Sequence, residues 1–158
     1  MTPDWMRDAA RRYESCNRAT LRWLVARGDP GAGFLDTKVH SITGQDYDAT
    51  SGLRGPGYTY GWIQGRGLEA LATFAGHYRG TDAAFAAELE TAASALYRRL
   101  AELHARDGHA YFLYDRDLRP VVSRDGDLGA RLGLQPVCEG LLTDRRACGA
   151  DAFKERTR

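Results

Sequence analysis

Apolar residues fall at helical spacing from the first turn of this chain. Trp5, Ala9, Tyr13, Cys16, Thr20, Leu21 and Leu24 share one face, which predicts a helix from Asp4 to Arg27. Thr2 is placed to cap that helix, and Pro3 suits its first position, where no amide partner is needed. Gly28-Asp29-Pro30-Gly31 is a stop signal. A second stripe, Leu68, Leu71, Ala72 and Ala75, predicts a helix over about Tyr60 to Tyr78. Phe85, Leu89, Ala92, Leu96, Leu100 and Leu103 make the cleanest amphipathic pattern of the chain. Thr81 or Asp82 caps this third helix, and Gly108, just past Asp107, is placed for a left-handed stop.

Between the first two helices, residues 28–59 hold seven glycines and two prolines around a short extended piece at Phe34-Leu35-Asp36. A connection of this length inside a compact domain is functional or disordered. Tyr47, Tyr58 and Tyr60 argue for order, because aromatic rings supply burial. After Gly108 the period shortens. Ala110 to Leu113 reads as a strand, Asp115-Arg116-Asp117 as a turn, and Arg119 to Val122 as the returning strand of a small β-hairpin. Beyond Ser123 the pattern weakens. Leu128, Leu132 and Leu134 could begin a fourth helix that Pro136 interrupts, and Glu139 to Ala147 could form a short one. The last ten residues are polar. The rhythm of helix, long loop, helix, helix and hairpin suits an all-α chain built as an α/α toroid better than a four-helix bundle, whose loops are short. Residues 1–122 read as one unit and residues 123–158 as a divergent tail.

Composition narrows the function. The chain has 158 residues and a formal net charge of +1, enough length for one real core. It lacks the basic excess of a nucleic-acid binder and the cationic balance that seeks an anionic membrane. No apolar run approaches the roughly 20 residues that span a bilayer. The start of the chain carries no apolar signal core, so a cytoplasmic location is expected. Cys16, Cys138 and Cys148 are odd in number and widely spaced, which makes neither a disulfide framework nor a zinc site and leaves buried or free thiols.

Candidate chemistry concentrates in Gly57 to Glu69. On a helix Trp62 and Arg66 lie four residues apart and share a face, with Glu69 beside Arg66. An indole plate next to a guanidinium suits a sugar: the ring takes a C–H face, and the guanidinium gives several fixed hydrogen bonds. Gly61, Gly65 and Gly67 each cost roughly 1 kcal/mol against Ala inside a helix, so close approach of another segment or of a ligand must compensate. The plainer alternative is that Arg66 pairs with Glu69 at the surface while Trp62 is core.

Trp62-Ile63-Gln64-Gly65-Arg66 resembles the tryptophan-x-Gln-Gly-Arg motif of the N-acylglucosamine 2-epimerase family, which includes aldose–ketose isomerases and cellobiose 2-epimerases. Gly33-Phe34-Leu35-Asp36 precedes it as a Gly-Phe strand does in that family. Ala110 to Pro120 resembles the family's Tyr-Phe-x-x-Asp-Arg-Asp-Gly-Arg-Pro hairpin. The resemblance covers roughly residues 1–122. It implies part of a barrel of six helical hairpins, of about twice this length or more. The activity it implies is sugar epimerisation or isomerisation through the open chain, without a redox cofactor. A histidine pair moves the proton beside the carbonyl, and the positions matched by Arg66 and Trp62 contact the sugar.

The family's catalytic histidines lie far downstream of these motifs. His40, His77, His104 and His109 match none of them, so no catalytic residue is assigned. Ser123 to Asp127 also lacks the family's following Lys-x-x-Tyr-x-x-Ala-Phe helix start, which suggests a truncated or frameshifted end. The chain alone is thus expected to be weakly active or inactive, with exposed helix faces that favour self-association. A non-catalytic carbohydrate-binding or interaction module is the rival reading. A toroidal glycoside hydrolase would need paired carboxylates across a cleft, and no convincing pair shows. Asp46 and Asp48 lack a third ligand for a metal, and a solvated loop explains them better.

Overall fold

The computed structural model describes residues 2–27, 33–123 and 126–127. Three helices dominate: α1 (Asp4–Ala26), α2 (Gly61–Tyr78) and α3 (Ala83–Asp107). A short 3₁₀ turn spans Gly52–Arg54. Strand β1 (Tyr58–Tyr60) runs directly into α2, and β2 (Leu113–Asp115) follows α3. β3 (Val122–Ser123) and β4 (Gly126–Asp127) pair antiparallel with each other. The anticipated stop at Gly28 to Gly31, the fourth helix, Cys138 and Cys148 lie outside the described residues.

The core is the α2–α3 hairpin. α2 buries Gln64, Leu68, Leu71, Ala75 and Tyr78 on one stripe, and α3 answers with Phe85, Leu89, Ala93, Leu96, Leu100 and Leu103. Leu68, Leu71, Leu89 and Tyr78 have no exposed surface at all, and each such side chain contributes roughly 1.5–3 kcal/mol of transfer free energy. α3 is closed at both ends. The Asp82 carboxylate accepts the Phe85 amide proton at 3.0 Å, and Gly108 ends the helix at φ 79°, a left-handed conformation that costs glycine little.

α1 is attached differently. Only Leu21 is buried on it, with Leu24 and Val25 partly so. Arg18 ties it down: its guanidinium meets Asp82 at 2.5 Å and lies 4.5 Å over the Tyr78 ring. Asp82 therefore caps α3 and anchors α1, and both contacts hold its carboxyl below the usual range, the Phe85 amide most strongly. The N-terminal half of the anticipated apolar stripe is uncovered, with Trp5 70% and Tyr13 72% exposed and Cys16 a free, exposed thiol. Thr2 does not cap this helix. Pro3 takes the cap position with no side-chain bond, and its carbonyl accepts the Met6 and Arg7 amides. Pro3 holds an extended ψ of 149° and so stays outside the helix, which moves the boundary one residue on to Asp4.

The hairpin after α3 forms, but its strand starts at Leu113 rather than Ala110. Residues 110–112 are held by other contacts: the Phe112 carbonyl accepts the Gly61 amide, and the Tyr111 amide donates to the Tyr114 hydroxyl. β2 also has a second partner. It pairs antiparallel with β1 in the register Tyr58–Asp115, Thr59–Tyr114 and Tyr60–Leu113. The returning chain meets it through Tyr114 and Pro120. Among the described residues no helix is long and apolar enough to cross a membrane.

Candidate functional site

The three stretches that carry the family resemblance meet around the start of α2. Gln64 is buried and gives both ends of its amide to one residue. Its Oε1 accepts the Leu35 amide at 2.8 Å, and its Nε2 donates to the Leu35 carbonyl at 2.8 Å. That closed pair fixes residues 34–36 against α2 as a neighbouring strand would. One turn earlier, Gly61 donates to the Phe112 carbonyl at 2.9 Å. A Cβ on Gly61 would stand 2.3 Å from the Tyr111 carbonyl oxygen, and one on Gly67 would stand 2.3 Å from Leu35 Cδ1. These glycines are compensated by neighbouring protein segments, as the cost of glycine in a helix required.

Trp62 and Arg66 share the other side of α2. Residue 66 lies two positions past Gln64, about 200° round a helix of 3.6 residues per turn. The Arg66 side chain is 58% exposed and pairs with Glu69 at 2.9 Å, the surface pairing that the sequence offered as the alternative. An exposed pair of this kind is worth about 0–1 kcal/mol, so it leaves the guanidinium free to exchange partners. Trp62 is half-buried. It lies parallel to Phe112, 6.2 Å between centroids and 5° between planes, and its indole Nε1 is buried without a hydrogen-bond partner. Such an unmet donor is uncommon in a folded protein.

On the Gln64 side a cleft of about 540 Å³ opens between residues 34–38, 56–60 and the turn 115–118, with Arg27, Asp46 and Tyr47 on its rim. Neither Trp62 nor Arg66 lines it. Arg27 reaches from the end of α1 to Asp36 at 2.7 Å and Asp46 at 2.5 Å. Lys38 donates to the carbonyl of Gly55 at 3.0 Å and also to that of Tyr58. Burial lowers the Lys38 ammonium pKa, and nearby Asp36 opposes that shift. Asp115 organises the turn through Oδ1, which accepts the amides of Asp117 and Arg119. Leu118 completes the turn at φ 58°; left-handed geometry costs a residue with a Cβ roughly 1–2 kcal/mol. Its side chain lines the cleft and packs on the core.

The remaining candidates disperse. Asp46 serves Arg27, and Asp48 accepts from Thr50 and Ser51 in its own loop. His40 accepts from the amides of Ile42 and Thr43 in that loop. His77 sits 3.7 Å from Glu14 near the end of α2. Arg66 and His77 are eleven residues apart on that helix, about three turns. Among the described residues no cluster of His, Cys, Asp and Glu could hold a metal ion.

Sequence reasoning passed over the Gln64 clamp and the cleft. One signal for the clamp was present: Gln64 stands on the buried stripe of α2, four residues before Leu68, where a polar side chain needs a dedicated partner. No signal of that kind marked Arg27, Lys38 or Leu118. They are scattered through the chain and meet only in the folded structure.

No protein-family model matches this chain, no curated protein matches it, and no solved structure matches it.

Proposed function

We propose that this chain is a carbohydrate epimerase or isomerase-type protein that binds a monosaccharide against Arg66 and Trp62. In this reading α2 and α3 are one hairpin of an α/α toroid, and the Arg66 face of α2 looks toward its axis. One observation carries the reading. The segments at 33–36, 60–66 and 110–120, which separately resemble one sugar-enzyme family, are joined by the Gln64–Leu35 clamp and the Gly61–Phe112 hydrogen bond. Residues in a shared motif that also hold one another in place make a coincidental likeness harder to sustain. On the open face, the guanidinium supplies planar donors for hydroxyl or carbonyl oxygen, and the neighbouring indole supplies an apolar plate.

Chemistry next to a sugar carbonyl needs a base in reach of the proton. Glu69 is the partner that Arg66 has among the described residues, and His77 lies three turns away on the same helix. This favours binding without appreciable turnover by the chain alone, the non-catalytic form of the same reading. Self-association through exposed apolar surface, such as Trp5 and Tyr13 on α1, belongs to the same proposal.

The test is proton exchange at the carbon beside the carbonyl, followed by NMR in D₂O over a panel of aldoses. Binding with no exchange, and loss of that binding in Arg66→Ala, is the expected outcome. Exchange catalysed by this chain alone would overturn the non-catalytic form of the reading. Sugar binding that survives Arg66→Ala would remove Arg66 from the site.

A further inference from the structure

We infer that the cleft on the Gln64 side of α2 is a separate binding site for a neutral, polyhydroxylated ligand of sugar type. It does not depend on Arg66, which lies on the opposite face of the helix. The volume, about 540 Å³, falls within the range of pockets that enclose small molecules.

The charges select the class. The lining holds three cations, Arg27, Lys38 and Arg116, and three carboxylates, Asp36, Asp46 and Asp115, with Arg27 paired to Asp36 and Asp46, so it carries no net charge. A charged ligand would leave one of these groups uncompensated in a partly desolvated space. A polyol, whose hydroxyls both donate and accept, meets both signs.

Bonding capacity is left over in the lining. Lys38 spends two of its three N–H donors on the Gly55 and Tyr58 carbonyls, which leaves one. Asp115 uses Oδ1 for the turn and keeps Oδ2. The hydroxyls of Tyr47 and Tyr58 make no hydrogen bond among the described residues.

Leu118 supplies the apolar element. In the turn Asp115-Arg116-Asp117-Leu118-Arg119-Pro120 the leucine holds φ 58°, the one left-handed backbone of a non-glycine residue among the described residues. A bulky residue held in that conformation indicates that the side chain does something glycine could not. Here it forms a hydrophobic wall of the cleft, suited to the C–H face of a sugar ring.

The experiment is a titration of the full chain with glucose and maltose, followed by amide NMR, with gluconate and glucosamine as charged counterparts. Saturable shifts confined to residues 34–38, 56–60 and 115–118 are expected with the neutral sugars. Tyr47→Phe and Tyr58→Phe, which keep the ring, should each weaken binding about three- to tenfold, the effect of one net hydrogen bond. Leu118→Gly should weaken it as well, and Arg66→Ala should leave it unchanged. The inference is overturned if no saturable shift appears with any of the sugars, if both phenylalanine variants bind as the parent does, or if gluconate or glucosamine binds more than tenfold tighter than glucose. Shifts confined to the Arg66 face and abolished by Arg66→Ala would overturn it too, while leaving the proposed function standing.

Discussion

The two sides of α2 are built on opposite principles. On one, Gln64 and Leu68 are sealed against the 34–36 segment and α3, with every polar atom of the Gln64 amide matched. On the other, Arg66 lies in solvent against Glu69, and Trp62 carries an unmet indole donor. The first side holds the fold together and tolerates little change. On the second side the exposed Arg66–Glu69 pair contributes little to stability, which leaves the guanidinium free to change partners, while Trp62 stays stacked on Phe112. Within one five-residue motif, the glutamine positions the chain, the tryptophan packs half-buried on Phe112 and the arginine faces solvent.

The contrast is sharpest at Gln64. Replacing it with Leu should cost about 2–5 kcal/mol, because the buried Leu35 amide and carbonyl each lose a partner at roughly 1–3 kcal/mol. Chemical denaturation measures this, and a loss below 0.5 kcal/mol would show that the clamp is not structural. Gly61→Ala should come next, at about 1–3 kcal/mol for overpacking, since its new Cβ would meet the Tyr111 carbonyl oxygen, an atom of the backbone. Gly67→Ala should be milder. Its obstacle is the flexible tip of Leu35, and helix propensity returns roughly 1 kcal/mol.

Asp82→Ala tests the anchor of α1 and should cost about 0.5–2 kcal/mol as a lost N-cap. The same carboxylate gives a pH signature. Its folded pKa lies below the ordinary value, so its stabilisation is present above the unfolded pKa and is lost as the pH falls through the depressed one. Asp82→Ala should lose this part of the acid dependence, whereas an acid limb identical to the parent's would contradict the assignment. At the high-pH end, burial pushes the Tyr114 hydroxyl up to about 12. Its contribution holds below the unfolded value near 10 and is lost as the pH rises through about 12, so Tyr114→Phe should flatten that limb. Smallest of all is Arg66→Ala, expected to change stability by no more than about 0.5 kcal/mol, in keeping with an exposed ion pair. A larger loss would mean that the two faces of α2 are not distinct.

Much of the helical fold was legible in the sequence, for local reasons. The stripe from Phe85 to Leu103, the Asp82 cap and the Gly108 stop act within one helix, and they appear in the structure where their spacing put them. The limits of local reading show at α1, whose stripe predicted a buried face along its whole length. Periodicity reports which face is apolar but not how much of it finds a partner. The β1–β2 pairing was invisible because it joins residues more than fifty positions apart. At the site, the spacing of Trp62 and Arg66 was readable because a helix sets it. The cleft was not, since its lining comes from α1, the long connection and the hairpin turn.

The most direct measurement is the indole N–H signal of Trp62 during a monosaccharide titration of the intact chain, assigned with Trp62→Phe. The account predicts a saturable shift that disappears in Arg66→Ala and persists in Tyr58→Phe. An indole signal that stays fixed while sugar saturates the protein elsewhere, or that moves equally well without Arg66, would contradict it.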